Sequence, residues 1–268
     1  MAQPHDPTGK APEGSLTYSS YLALGEILSA QRTKSDEHDE MLFIVIHQVY
    51  ELWFKQLLHE LREVQRRLEA GDASHAVRTL RRCLTILKVA VHNVDVLETM
   101  TPTQFLTFRD RLDASSGFQS AQFRVLEAIL GRRERSVLNQ YVEGSEDYRR
   151  IEEALRSPNL YDSYIRFLAV RDYDVAPERD WSEPLALDER NQRAIVEVYK
   201  DDAGPAIVTE LLVDLDEGFQ EWRYRHVMMV KRTIGEKTGT GGSSGVEYLK
   251  STTFNASFPD LWAVRSEQ

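Results

Sequence analysis

Two histidines stand where the rest of the sequence is apolar. His47 lies in FIVIHQVYELWFKQLLHEL, residues 43–61, and His226 lies in EWRYRHVMMV. Taken alone, each is an ordinary core histidine satisfied within the protein. Taken together, two long helices with one buried imidazole apiece suit a planar cofactor held between them. Haem is such a group, since it needs one neutral imidazole for axial ligation and a second group to manage the opposite face. The other histidines offer less: His5 and His38 sit in polar segments and His75 near a helix start. The chain has no HExxH, no HxH and no Glu-x-x-His pair, so zinc and carboxylate-bridged di-iron sites find little support.

Arg109, in FLTFRDRL, follows Phe105 by one helical turn. A guanidinium one turn from an aromatic ring can grip a carboxylate while the ring contacts the apolar part of the same ligand. Alone, the pattern also fits a surface ion pair with Asp110 or Asp113. The glycine-rich stretch Gly239 to Gly245 invites a phosphate-binding reading that fails on detail. Val246 stands where a P-loop needs Lys, Ser244 stands where the dinucleotide fingerprint needs Gly, and a helix precedes the loop. What remains is a loop of backbone N–H groups and hydroxyls, fit either to cover a polar ligand or to serve as a plain connector.

The elements that must position these residues are helical throughout. Residues 1–14, with three prolines and two glycines, read as a flexible arm. Apolar residues recur at helical spacing from Leu16 to about residue 30. A long central helix is expected over about 40–70 and stopped at Gly71-Asp72, and a second over about 74–100. Thr101-Pro102-Thr103-Gln104 is a capping box that opens a short helix through Leu112. Further helices are expected near 118–130, 134–142, 145–156 and 159–171. They lead into a loop carrying Pro177 and Pro184, and a last long helix runs from Gly204-Pro205 to Ile234. No alternation at strand spacing appears, so the expected fold is all-α, one helical domain over 15–268 behind the arm.

Composition narrows the partners. A formal charge of −10 leaves no basic face for nucleic acid. The arginine-rich pieces (Arg66, Arg67; Arg78, Arg81, Arg82; Arg132, Arg133, Arg135) read as solvated helix faces. The one cysteine, Cys83, falls in an apolar helical pattern and is expected to be a buried thiol in a reducing cytoplasm. Neither a signal peptide nor a run long enough to span a bilayer is present, so a soluble protein is expected.

Three stretches carry a resemblance: HDEMLFIVIHQVYELWFKQLLHEL, LETMTPTQFLTFRDRLDASSGFQSAQFR and WRYRHVMMVKRTIGEKTGTGGSSGVEYL. In order and spacing they resemble the signatures of the tryptophan 2,3-dioxygenase family, and the likeness runs from Leu16 to the FPDLWAVR tail. The resemblance implies haem b with His226 as its proximal ligand and O2 as co-substrate. It implies that His47 accepts a hydrogen bond from the indole N–H, that Arg109 pairs with the substrate carboxylate, and that Thr240 contacts its ammonium and carboxylate. Phe43 and Phe105 match pocket residues against the indole, and Ser116 lies beside haem and pocket. Tyr18, Tyr21 and Leu22 match residues that enter a neighbouring subunit's pocket in a homotetramer. The implied reaction cleaves the indole C2–C3 bond of L-tryptophan to N-formylkynurenine, in tryptophan catabolism. Ile46, Val94 and Met228 depart from the family's usual residues, and the first two are expected close to haem and substrate. A relative acting on a modified tryptophan such as a β-methylated one, or inserting one oxygen to give a hydroxylated oxindole, stays open at this point.

Overall fold

The computed structural model describes residues 15–112, 115, 117–235, 249–250 and 253–266. Among them every regular element is helical and no strand occurs. In chain order the α-helices are α1 (Tyr18–Tyr21), α2 (Leu24–Ile27), α3 (His38–Glu69), α4 (Ala73–Leu97), α5 (Pro102–Arg109), α6 (Ala121–Ile129), α7 (Glu146–Arg156), α8 (Leu160–Ala169), α9 (Glu189–Asp201), α10 (Gly204–Ile234) and α11 (Pro259–Ala263).

α3 and α4 make the frame. Buried Glu40 starts α3 by accepting from the backbone N–H groups of Lys34 and Ser35, both at 2.7 Å, and from Ser35 Oγ. Arg66 and Arg67 in the last turn complement the carbonyl end. Gly71, at φ 73°, then ends the helix. Its N–H bonds to Leu68 O and that of Asp72 to Arg67 O, the paired closure that a left-handed residue permits. Asp72 at once caps α4 through His75 N at 3.1 Å, so the chain folds back with almost no connector. The two helices pack along each other, α10 lies on α4, and α6 and α8 lie on α3. Tyr50 Oη donates to Ala90 O across the α3–α4 seam at 2.8 Å. Cys83 is fully buried in this seam, and burial pushes its thiol up to about 12.

A main core runs between α3, α4, α6, α8 and α10, with Leu61, Leu68, Leu80, Phe167 and Phe219 all but sealed from water. A smaller cluster of Ile46, Val94, Leu97, Met100, Phe105, Phe108 and Met229 closes the other end. The C-terminal segment is strapped down by Asp216 of α10, which accepts from Ser257 N, Phe258 N and Trp262 Nε1 at 2.8–3.2 Å.

Three sequence expectations change. The region from Leu16 to residue 30 is two four-residue helices, because Ala23 at φ 50° breaks the run, and neither helix buries a residue. The segment expected near 134–142 is a 3-10 turn over Arg135–Gln140. α9 was not expected at all. It carries Ala194, Ile195 and Val198 inward and is capped by Asp188 at Arg190 N and Asn191 N.

Candidate active site

Five helices converge on one cavity of about 250 Å³. α3 contributes Phe43, His47, Tyr50, Glu51 and Phe54, whose spacing sets them along one helical face. α5 contributes Phe105 and Arg109, α4 Val94 and Leu97, α6 Phe123, Arg124 and Glu127, and α10 Trp222, Arg223 and His226. The capping box on α5 is fully formed: Gln104 N donates to Thr101 Oγ1 at 3.3 Å, and Thr101 N to Gln104 Oε1 at 2.8 Å. It fixes the start of the helix on which Phe105 and Arg109 ride.

His47 Nδ1 lies 2.7 Å from the carbonyl oxygen of Phe43. A carbonyl only accepts, so Nδ1 must hold the ring proton, and Nε2 is left as a bare acceptor. Burial lowers the pKa of His47 against the opposing pulls of the Phe43 carbonyl and Glu51. His226 is held down at about 4, by burial first and then by repulsion from the charged form of His47. Both imidazoles are therefore neutral at neutral pH, the state in which a ring nitrogen can accept a hydrogen bond or ligate a metal. Phe43 packs on His47 at 4.1 Å between ring centroids and on Phe105 at 5.7 Å, forming an aromatic wall beside the bare nitrogen.

Behind His226 the Trp222 indole lies parallel to the imidazole, with 5.3 Å between centroids and 4° between planes. Tyr50, Phe54, Phe123 and Phe219 surround that indole in turn. Trp222 Nε1 is buried with no hydrogen-bond partner among the described residues. At the same end of the cavity, buried Glu127 accepts from Arg124 at 2.6 Å, Arg132 at 2.8 Å and Arg223 at 3.0 Å. Burial alone would raise the Glu127 pKa, but the three guanidiniums outweigh it and hold the carboxyl below its usual range. Three guanidiniums thus surround one carboxylate, and Arg132 also pairs with Glu134 at 3.1 Å.

The cavity thus brings together Phe43, His47, Phe105, Arg109 and His226. Tyr18, Tyr21 and Leu22 do not line it. Tyr18 and Tyr21 are more than 70% exposed on α1. Ser116 and Thr240 lie outside the described residues. Ile46 packs beside the cavity residues Val94, Leu97 and Phe105 without itself lining the cavity; Val94 lines it, and Met228 is exposed. The reading of Arg132 and Arg133 as a solvated face is overturned. Arg132 serves Glu127, while Arg133 is buried and donates to Ala128 O, Ser157 O and Trp181 O.

Comparison with known proteins bears on this arrangement directly. The sequence profile described as Tryptophan 2,3-dioxygenase matches residues 3–166 and 182–267. The chain belongs to the tryptophan 2,3-dioxygenase family. A protein named Tryptophan 2,3-dioxygenase from Anaeromyxobacter sp. (strain K) is 58% identical over 260 residues, covering 95% of this chain and 97% of its own. Proteins of the same name from Herpetosiphon aurantiacus and Caulobacter vibrioides are 49% and 44% identical, each covering 94% of this chain and 98% of its own. The matches thus extend across nearly the whole of those proteins.

Sequence reasoning did not single out Trp222, Phe123 or the Arg124–Glu127–Arg132–Arg223 quartet. The signals were short: Trp222 one turn before His226, and Arg124 and Glu127 three apart on α6. Neither spacing says which helix faces which.

Proposed function

We propose that the chain is a haem-dependent oxidoreductase that uses O2 to cleave the indole C2–C3 bond of L-tryptophan, giving N-formylkynurenine. The observation that carries this reading is the joint opening of two neutral histidines and Arg109 on one apolar-walled cavity. The residues present fit haem b. His226 supplies a half-buried neutral imidazole for the iron. The Arg124, Arg132 and Arg223 guanidiniums line the cavity and suit the two propionates, and the buried Trp222 N–H is a further donor on the same cavity. Bound there, haem supplies the redox-active iron that activates O2.

The chain's own part is binding and orientation. Tryptophan is zwitterionic at one end and flat and apolar at the other. Arg109 takes the carboxylate by its fork, and Phe43 and Phe105 flank the indole. His47 Nε2, bare by virtue of its Nδ1–H bond to Phe43 O, accepts the indole N–H and fixes which edge of the ring faces the cofactor. Thr240 and Ser116 complete the substrate contacts by resemblance alone. Both oxygen atoms of O2 enter the product, so no external reductant is consumed in a turnover.

Tyr18, Tyr21 and Leu22 act in the pocket of a neighbouring copy within a homotetramer, and the enzyme works in the cytoplasm. In support, α1 and α2 bury none of their residues, and no helix among the described residues is long and apolar enough to cross a membrane. The deciding experiment is mass spectrometry of the product from L-tryptophan under 18O2 with reduced, haem-loaded enzyme. N-formylkynurenine carrying two labelled atoms is expected, and an oxindole with one labelled atom overturns the reading.

A further inference from the structure

A second concavity, of about 530 Å³, lies on the outer side of α3. Lys55, His59 and Arg62 line it from successive turns of that helix, Arg150 reaches in from α7, Gln122 from α6, and Leu58 forms its apolar floor. No carboxylate is among the lining residues. In a chain of net charge −10, this gathering of like charge calls for a physical reason.

Elsewhere on α3 cations are neutralised within the chain. Arg66 and Arg67 both bond Glu63 at 2.6 Å, and Glu60 takes Arg82 of α4 at 2.9 Å. Lys55, His59 and Arg62 have no hydrogen bond or ion pair to any described residue, and Arg150 has only Asp147 at 3.9 Å. Lys55 and Arg62 stand two turns apart on α3 with His59 between them, and Arg150 joins them from α7, so three permanent cations share one concave surface with the Gln122 carboxamide.

We infer that the Lys55–Arg62–Arg150 groove is a binding site for a compact multivalent oxyanion, phosphoryl or polycarboxylate. Two cations one turn of α3 from His59 and a third from α7 surround the anion from two elements, which a flat basic surface does not do. The site is distinct from the main cavity. Gln122 separates the two, donating to Glu51 O at 2.9 Å and Glu51 Oε2 at 2.8 Å, and it is Glu51 that lines the main cavity.

The main cavity also holds arginines, so the test must tell the two apart. Inorganic pyrophosphate and, separately, citrate are titrated calorimetrically into the full-length holoenzyme at constant ionic strength and neutral pH. Saturable binding of at least one of them is expected, with saturating tryptophan leaving its affinity unchanged within twofold. Tighter pyrophosphate assigns a phosphoryl ligand, tighter citrate a polycarboxylate. The double variant Lys55→Gln/Arg62→Gln should weaken binding at least tenfold. The double variant Arg66→Gln/Arg156→Gln removes the same charge from exposed ion pairs outside the groove and should change it by less than twofold. An unchanged Soret band and melting temperature in both doubles show that the fold is intact. Absence of saturable heat with either anion, competition with tryptophan, or equal weakening in the two double variants overturns the assignment.

Discussion

Arg109 and His47 face the same cavity, and the proposed function gives each a different part of tryptophan to hold, so their removal should be distinguishable in kinetics. Truncating one side of a desolvated charge pair costs about 2–5 kcal/mol. Arg109 is half-buried, which places it at the lower end of that range. Arg109→Ala should therefore raise KM for tryptophan by about 30-fold or more, at ~1.4 kcal/mol per decade. An unchanged KM would remove the carboxylate assignment. His47→Ala loses one neutral hydrogen bond, worth about 0.5–1.5 kcal/mol, so kcat/KM should fall only about three- to tenfold. His226→Ala differs in kind. With no other cluster of metal-binding side chains among the described residues, the variant should lose most haem affinity and with it the Soret band. Full haem retention would contradict the ligand assignment.

At the scale of elements, the site depends on how α5 and α6 are fastened. α5 is only eight residues long, and its capping box holds the turn that leads to Phe105 and Arg109. Thr101→Ala should cost about 1 kcal/mol, lowering the melting temperature by about 2–4 °C for a chain of this size. The loss should be accompanied by a raised KM, because the helix start is what aims Arg109. α6 is fastened to α10 by Glu127. Its carboxyl is depressed below 4.5 in the folded protein, so its contribution is complete above pH 4.5 and lost as pH falls through the folded value. Urea unfolding between pH 7 and pH 3.5 should show that loss in the parent. It should be shallower in Glu127→Gln, whose stability starts about 3–5 kcal/mol lower because three arginines lose their partner. The helices α3, α4 and α10 were legible from periodicity, and α5 from its capping box. α9 was not, because ERNQRAIVEVYKD follows a proline-bearing loop and shows a narrow apolar face amid charge. The two histidines and Arg109 could be read because each interrupts a regular pattern. The Glu127 quartet could not, because a salt bridge between α6 and α10 spans 96 positions that only the fold brings together.

At the scale of the whole molecule, the remaining anomaly is the N-terminal segment. Leu16, Tyr18, Tyr21 and Leu28 gather four large apolar side chains, each more than 70% exposed, in one short segment. Fully burying one such side chain is worth about 1.5–3 kcal/mol, so leaving four of them in water forgoes a sum comparable to the net stability of a domain. The short helices also carry a complete capping box at Thr17, with Ser20 N and Thr17 N both satisfied. Cover by another molecule would recover that energy, and the proposed homotetramer offers it in the pocket of a neighbouring copy. Deleting residues 1–22 should therefore lower the oligomeric state measured by light scattering and raise KM for tryptophan together. The monomer's own cavity, the proposed haem site, is lined by none of these residues, so a truncated chain should still bind haem. If the truncated protein keeps both its assembly state and its KM, the exposed tyrosines serve some other contact, and the pocket is complete within one chain.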